Sequence, residues 1–473
     1  MSEVKVNKIS PRTACGTVTM GDSGDTIALG CGASQTGFGR TGTVDWVTTV
    51  KVTGDSPITA VTGEGYFLNT TSGTITVNLP AGVAGSIVSL ADYAGTWASN
   101  NVTVSADGSE KIGGETADAT LSTNGQSVTL VYVDGTEGWV TTADSTQNIQ
   151  AQAFVTATVT GACNTLTTVC TDYKVAKFLG PGTFCVSCAG NCAGSNTVDY
   201  VVVAGGGAGG TAGSPRAGGG GAGGYRESPG SASAYTASPL GTSPATALPV
   251  PAAPYPITVG GGGASVSGGN NPGNDGSVST FSTISSAGGG GGGAGSACYG
   301  CAALNGGPGG SGGASGGAAN ADPAPIVGGT VGTGNTPVVS PAQGQDGGQG
   351  MHAPGAWGAG GGGGGASAAG GDASPKPTPA PSAVAGTGAN GVTTQIPGSP
   401  LTLSGGGGGN GVGLVPASGN HAAGGSGGGG AGNACGVGVA GGTNTGGGGG
   451  AGPDPAGSGA GGSGIVLIRY KFQ

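Results

Sequence analysis

The run Tyr200-Val201-Val202-Val203-Ala204-Gly205-Gly206-Gly207 passes from an apolar β-rich strand straight into glycine. Gly464-Ile465-Val466-Leu467-Ile468-Arg469-Tyr470-Lys471-Phe472 makes the reverse passage near the other end of the chain. Between them lie Gly-dense blocks of comparable length, among them Gly218–Gly224, Gly260–Gly263, Gly288–Gly295, Gly306–Gly317, Gly358–Gly365, Gly405–Gly409, Gly424–Gly432 and Gly446–Gly452. Glycine loses more conformational freedom on ordering than any other residue, so such blocks stay flexible filler unless something offsets that cost. The flanking strands predict that the ends of the region meet and pair. The blocks themselves predict rods. Without a Cβ, a glycine run can adopt the left-handed polyproline-II helix, with 3 residues per turn and a rise of about 3.1 Å. Such rods approach closely enough for backbone N–H···O and Cα–H···O bonds between neighbours, so that backbone hydrogen bonding stands in for a hydrophobic core. The blocks are not Gly-X-Y triplets, which excludes collagen.

Composition sets the limits around this reading. Of 473 residues 116 are Gly and 28 Pro, together about 30% of the chain, a level ordinarily read as low complexity. Only 7% are charged and 4% aromatic, so an ordinary enzyme core is excluded for much of the molecule. A solvated disordered tail is a poor match too, because mean hydropathy is +0.06 and such tails combine high charge with low hydrophobicity. The net charge of −9, without clustered Lys or Arg, argues against nucleic acid as a partner. No apolar run reaches the roughly 20 residues of a membrane span, so no membrane insertion is expected. Met1 to Arg12 lacks an apolar core and does not read as a secretory signal.

Before residue 200 the material is different. Thr74-Ile75-Thr76-Val77-Asn78-Leu79-Pro80 and Val102-Thr103-Val104 alternate with period two, and Ser127-Val128-Thr129-Leu130-Val131-Tyr132-Val133 is a longer β-rich run ending at Asp134-Gly135. Turn signals recur at Thr71-Ser72-Gly73, Ala106-Asp107-Gly108-Ser109 and Thr123-Asn124-Gly125. Helical periodicity is absent. The expected fold class is therefore all-β, an elongated fibre divided into four parts. Residues 1–55 form an N-terminal attachment segment and 56–143 a β-sandwich with Trp97, Trp139, Tyr66, Phe67, Tyr93 and Tyr132 as core candidates. Residues 144–200 supply a linker and a short β module, and 201–473 the polyglycine-helix bundle with loops at its tips.

Ten cysteines invite a metal or disulfide reading. Cys185, Cys188 and Cys192 form C-x2-C-x3-C, Cys298 and Cys301 form C-x2-C, and Cys163 and Cys170 bracket what reads as a short turn-like loop. Zinc needs about four soft ligands at fixed spacing, and His352 and His421 do not follow a cysteine pair at finger spacing. Disulfides among Cys163, Cys170, Cys185, Cys188, Cys192, Cys298 and Cys301 are the stronger expectation, with small buried thiols as the alternative.

Catalytic constellations are not found. After residue 200 the acids are Glu227, Asp275, Asp322, Asp346, Asp372 and Asp454, scattered singly where a glycosidase wants a carboxylate pair. No Lys follows Gly, so the phosphate-cradling loop is missing, and no H-E-x-x-H occurs. Catalytic residues, cofactors and metals are accordingly expected to be none. What remains is recognition. Trp357, with Met351 and His352, precedes a Gly block and belongs at a rod end, as does Tyr299 between Cys298 and Cys301. Aromatic tips give contact area at low entropic cost, so Tyr299, Met351, His352 and Trp357 are the receptor-contact candidates. Tyr255 and Phe281 lie in strand-like runs and are expected to pack.

The series Tyr200 to Gly207, Gly218 to Tyr225, Tyr255-Pro256-Ile257-Thr258-Val259-Gly260 to Gly263, Gly276-Ser277-Val278-Ser279-Thr280-Phe281 before Gly288, and Gly464 to Tyr470 resembles the glycine-rich module of bacteriophage tail-fibre proteins. The resemblance covers about residues 155–473. Ser2 to Ser10 and the stretch from Gly65-Tyr66-Phe67-Leu68 to Gly138-Trp139 are similar to modules of marine phage fibres. It implies a homotrimeric tail fibre or distal adhesin, attached to the phage tail or other virion proteins by its N-terminus. Tip loops would bind a host surface protein or glycan, and the place of action is the virion, after assembly in the host cytoplasm. The competing expectations are a capsid decoration or head-fibre protein and, from another class, an antifreeze or matrix protein, for which regular Thr-faced triplets would be required. The cysteines and the Pro/Ala-rich inserts Ser228–Pro256 and Ala366–Pro400 depart from the family pattern.

Overall fold

The computed structural model describes residues 44–145, 152–190, 194–214, 216–295, 305–318, 329–353, 357–375, 383–411 and 421–473. The chain divides into two compact units, Met1–Gln150 and Ala151–Gln473, and the described residues are essentially all-β. Among the described residues no helix is long and apolar enough to cross a membrane.

The N-terminal unit has two facing sheets. One runs in the order Asp45–Val52, Glu64–Asn69, Ile87–Asp92, Ser127–Asp134, Gly138–Ser145, the other Ile58–Thr59, Ile75–Asn78, Val102–Ser105, Ala119–Leu121. The alternating sequence puts Ile75 and Val77, Val102 and Val104, Tyr66 and Leu68, and Val128 and Leu130 into a common core with Trp97 and Trp139. Two facing sheets were legible, but their winding was not. The first strands alternate between the sheets and each pairs in parallel with the next in its own sheet, so the chain coils like a short β-helix before antiparallel strands close it. The unit also starts earlier than the 55/56 boundary, because Asp45–Val52 is the edge strand of the larger sheet; residues 1–43 of the expected attachment segment lie outside the described residues. Two core assignments change. Phe67 is half-buried and stacks on Trp46 at 4.8 Å, and Tyr93 is 58% exposed. Tyr93 follows Asp92, a buried carboxylate that turns the chain outward: Oδ1 accepts from the N–H groups of Ala94, Gly95 and Thr96, and Oδ2 from those of Trp97 and Gly125.

The second unit begins fifty residues ahead of the composition change at Val201. One sheet runs Val155–Thr160, Gly182–Ala189, Pro254–Thr258, Ser279–Phe281, Ile284–Ser286; another runs Thr165–Val169, Tyr173–Phe178, Ile465–Lys471, Thr197–Val203, Tyr225–Glu227, with Leu248–Pro249 also paired to Thr197–Val203. The ends of the glycine-rich region do meet: Thr197–Val203 and Ile465–Lys471 pair antiparallel, Val203 opposite Ile465 and Asp199 opposite Arg469. Both strands are apolar on both faces because both faces are covered. Val198, Tyr200, Val202, Val466, Ile468 and Tyr470 pack with Phe184, Ile257 and Phe281; Val201, Val203, Ile465 and Leu467 pack with Tyr225, Val392, Ile396 and Leu403. Phe281 is thus fully buried, and Tyr255 packs at the margin of the same core.

Candidate functional site

From Val203 the chain runs directly into a rod, residues 204–211, whose hydrogen bonds report its conformation. Gly205, Ala208 and Thr211 donate to Ser277, Asn274 and Asn271; Gly206 and Gly209 donate to Gly462 and Gly459; Ala204, Gly207 and Gly210 donate to Gly224, Gly221 and Gly218, all at 2.8–3.1 Å. Each neighbour is met again every third residue, which is the three-residue turn of a polyproline-II helix. The carbonyls do the same outward: Gly205, Ala208 and Thr211 accept from Gly289, Gly292 and Gly295, Gly207 and Gly210 from Gly449 and Gly452, and Gly206 from Gly263. The rod is therefore bonded to six surrounding segments. The same three-residue beat recurs at 217–224, 360–366 and 404–410.

Glycine is required here by closeness. A Cβ on Gly207 would stand 2.2 Å from the carbonyl oxygen of Gly290, and one on Gly220 2.2 Å from that of Gly207. Ala is admitted only where the sixfold surround leaves space, as at Ala208 and Ala222, both fully buried.

Because rods alternate in direction, their connections fall at two ends. The sheet-proximal end carries Tyr225–Glu227 and the hairpin Val392–Thr394/Leu401–Leu403. There a buried polar network ties the Pro/Ala-rich insert to the sheets. Glu227 accepts from the hydroxyls of Tyr225, Tyr235 and Thr394 and from Ser238 N–H. Asp199 accepts from Ser228 and Ser233, and the Arg469 guanidinium donates to the carbonyls of Ser233 and Ile396 and lies 4.7 Å over the Tyr173 ring. Burial, reinforced by Glu227, pushes the Tyr225 and Tyr235 phenols well above their ordinary pKa.

The opposite, sheet-distal end carries two further hairpins. The hairpin Met351–Ala353/Trp357–Ala359 pairs Met351 with Ala359, His352 with Gly358 and Ala353 with Trp357. Ala359 bridges Gly411, and Asn410 bridges His421. Met351 packs on Ala359, Ala383, Ala385 and Ala422, so this hairpin meets the neighbouring hairpin Ser374–Pro375/Ala383–Val384. Asn410, fully buried, accepts from Ala217 N–H and donates to the Asn433 carbonyl. Asn433 in turn accepts from the N–H groups of Cys435 and Gly436. Arg216 is buried under the hairpin, its stem against Gly358, and burial lowers its pKa.

The profile of one protein family, described as a glycine-rich domain, matches residues 180–471. The chain belongs to the glycine-rich domain family. No curated protein matches it.

Within this glycine-rich domain the sequence-derived candidates separate. Met351, His352 and Trp357 share one distal hairpin. Tyr299, with Cys298 and Cys301, lies outside the described residues, although the rod before it ends distally at Gly295, bonded to Thr211; Cys192 lies outside them too. Asn410, Asn433 and Arg216 were not singled out as site residues, since each stands alone in sequence and only the rod lattice gathers them. Cys163, Cys170, Cys185 and Cys188 carry free thiols. Cys163 and Cys170 do not bracket a turn. The strand Thr165–Val169 runs between them, and at about 3.3 Å per residue it holds them too far apart for the Cα separation below 7 Å that a disulfide needs.

Proposed function

We propose that this protein is a phage virion structural protein, a tail fibre or receptor-binding adhesin that recognises the host cell surface through loops of its glycine-rich domain. The observation that carries the reading is the division of labour between the two ends of the bundle. The rods are nearly devoid of side chains, the sheet-proximal end is committed to the paired strands and their buried polar network, and the distal end carries the hairpin that bears Met351, His352 and Trp357. A stiff backbone lattice that presents loops at its distal end suits recognition better than turnover. In this reading the chain associates as a homotrimer, attaches to the tail or other virion proteins through its N-terminus, and meets a host protein or glycan with the distal loops. It acts outside the cell, without nucleic acid, cofactor or membrane insertion.

The test is immunogold electron microscopy of phage particles with antibodies against residues 201–473, followed by adsorption assays on Trp357→Ala and Met351→Ala particles. Gold at fibre tips and slower adsorption of the variants support the adhesin. Gold spread over the capsid transfers the protein to a capsid decoration or head-fibre role. Unlabelled particles overturn the virion assignment.

A further inference from the structure

A strand alternates its side chains between two faces, so cysteines three residues apart normally point to opposite sides. Cys185 and Cys188 do not. In the pairing of Val155–Thr160 with Gly182–Ala189, Thr158 stands opposite Cys185, Ala157 opposite Val186, and Thr156 opposite Cys188. Ser187 is left over as a bulge, which resets the alternation. Directly opposed residues share a face. Val155, Ala157, Phe184 and Val186 all enter the core, so Thr156, Thr158, Cys185 and Cys188 all belong to the other face. There Thr156, Thr158, Ser187 and Cys188 are exposed, and Cys185 is half-buried. Both thiols are free. They occupy consecutive positions along one face, about 7 Å apart by strand geometry. That is at the upper limit for a disulfide, whereas a metal ion with bonds of about 2.3 Å to each sulfur can span it once the side chains lean together. The neighbours are hydroxyls and Pro254, so sulfur is the soft donor on this patch.

We propose that Cys185 and Cys188 form a surface dithiol that chelates a thiophilic cation of the zinc or cadmium class through both sulfurs, each thiol releasing its proton as the metal–sulfur bond forms. This site is independent of the recognition loops. The experiment takes the reduced full-length chain, adds cadmium chloride, alkylates with N-ethylmaleimide and maps the modified cysteines by tandem mass spectrometry. Cadmium is expected to protect Cys185 and Cys188 together. In Cys185→Ser the protection of Cys188 should require a cadmium concentration on the order of a hundredfold higher, because the second sulfur no longer acts at high effective concentration, and Cys188→Ser should do the same to Cys185. Both side chains are solvent-accessible, and an unchanged circular dichroism spectrum checks that the variants fold. Protection of Cys188 that survives Cys185→Ser overturns the proposal; if it is then lost in Cys192→Ser, the chelating pair is a different one. Oxidation of the two thiols to a disulfide under metal-free, air-exposed conditions, with no cadmium protection after reduction, also overturns it.

Discussion

Replacing Gly220 by Ala tests the rod lattice where two rods meet backbone to backbone. The added Cβ would lie 2.2 Å from the Gly207 carbonyl oxygen and 2.7 Å from that of Ala208, both backbone atoms, where ordinary contact begins at 3.4 Å. No rotamer relieves this, so the 204–211 rod has to move away by about 1 Å. The movement stretches three bonds that hold the two rods together, Ala204 to Gly224, Gly207 to Gly221 and Gly210 to Gly218, now at 3.0, 2.8 and 3.0 Å. At about 1 kcal/mol for each lost bond, and more if a buried group stays unpaired, the penalty is roughly 3–5 kcal/mol. The smaller freedom of the unfolded Ala chain returns about 0.4–1 kcal/mol, leaving a net loss of about 3 kcal/mol. In a unit of this size that corresponds to a melting point lower by roughly 4–5 °C, readable by scanning fluorimetry. Gly261→Ala is the matched control, since nothing lies within 4 Å of its Cβ position; it should leave the midpoint unchanged or raise it slightly. A Gly220→Ala protein that melts within about 1 °C of the parent, or two variants that melt alike, would refute the argument that backbone closeness selects glycine.

Three further outcomes are expected. Asp92→Ala strips a buried acceptor from five backbone N–H groups and should destabilise the N-terminal unit by about 3 kcal/mol in urea titration; a loss under about 1 kcal/mol would mean that water replaces the carboxylate. Burial and the hydrogen bond to Glu64 push the Tyr66 phenol up to about 12, whereas an unfolded tyrosine titrates near 10. Its contribution is therefore complete below pH ~10 and lost as pH rises through about 12, and Tyr66→Phe should flatten the stability of the N-terminal unit across that window; an identical pH profile would contradict this. Backbone amides of 204–211 and 217–224 should exchange with deuterium far more slowly than free chain, and subtilisin should spare these rods. Exchange at random-coil rates would dissolve the bundle.

Much was determined by the sequence alone. Period-two alternation at Ile75–Val77 and Val102–Val104 defined strands with one buried face, and the strongly apolar strands that open and close the glycine-rich region predicted that its ends pair, as Thr197–Val203 and Ile465–Lys471 do. The glycine blocks announced rods, because only residues without Cβ pack backbone against backbone. The tertiary structure decided the rest. Adjacent glycine runs are chemically identical, so nothing local says that Gly207 faces Gly290 or that rod 204–211 is bonded to six segments; chain reversals and the anchoring strands settle that. The parallel coil of the N-terminal unit was hidden because alternation fixes which face is buried and not which strand lies next. Tyr93 looked like core until Asp92 turned the chain outward. Period two by itself puts residues three apart on opposite faces, and a single bulged residue, Ser187, places Cys185 and Cys188 on one face: register is a property of two strands together, and one strand's sequence does not contain it.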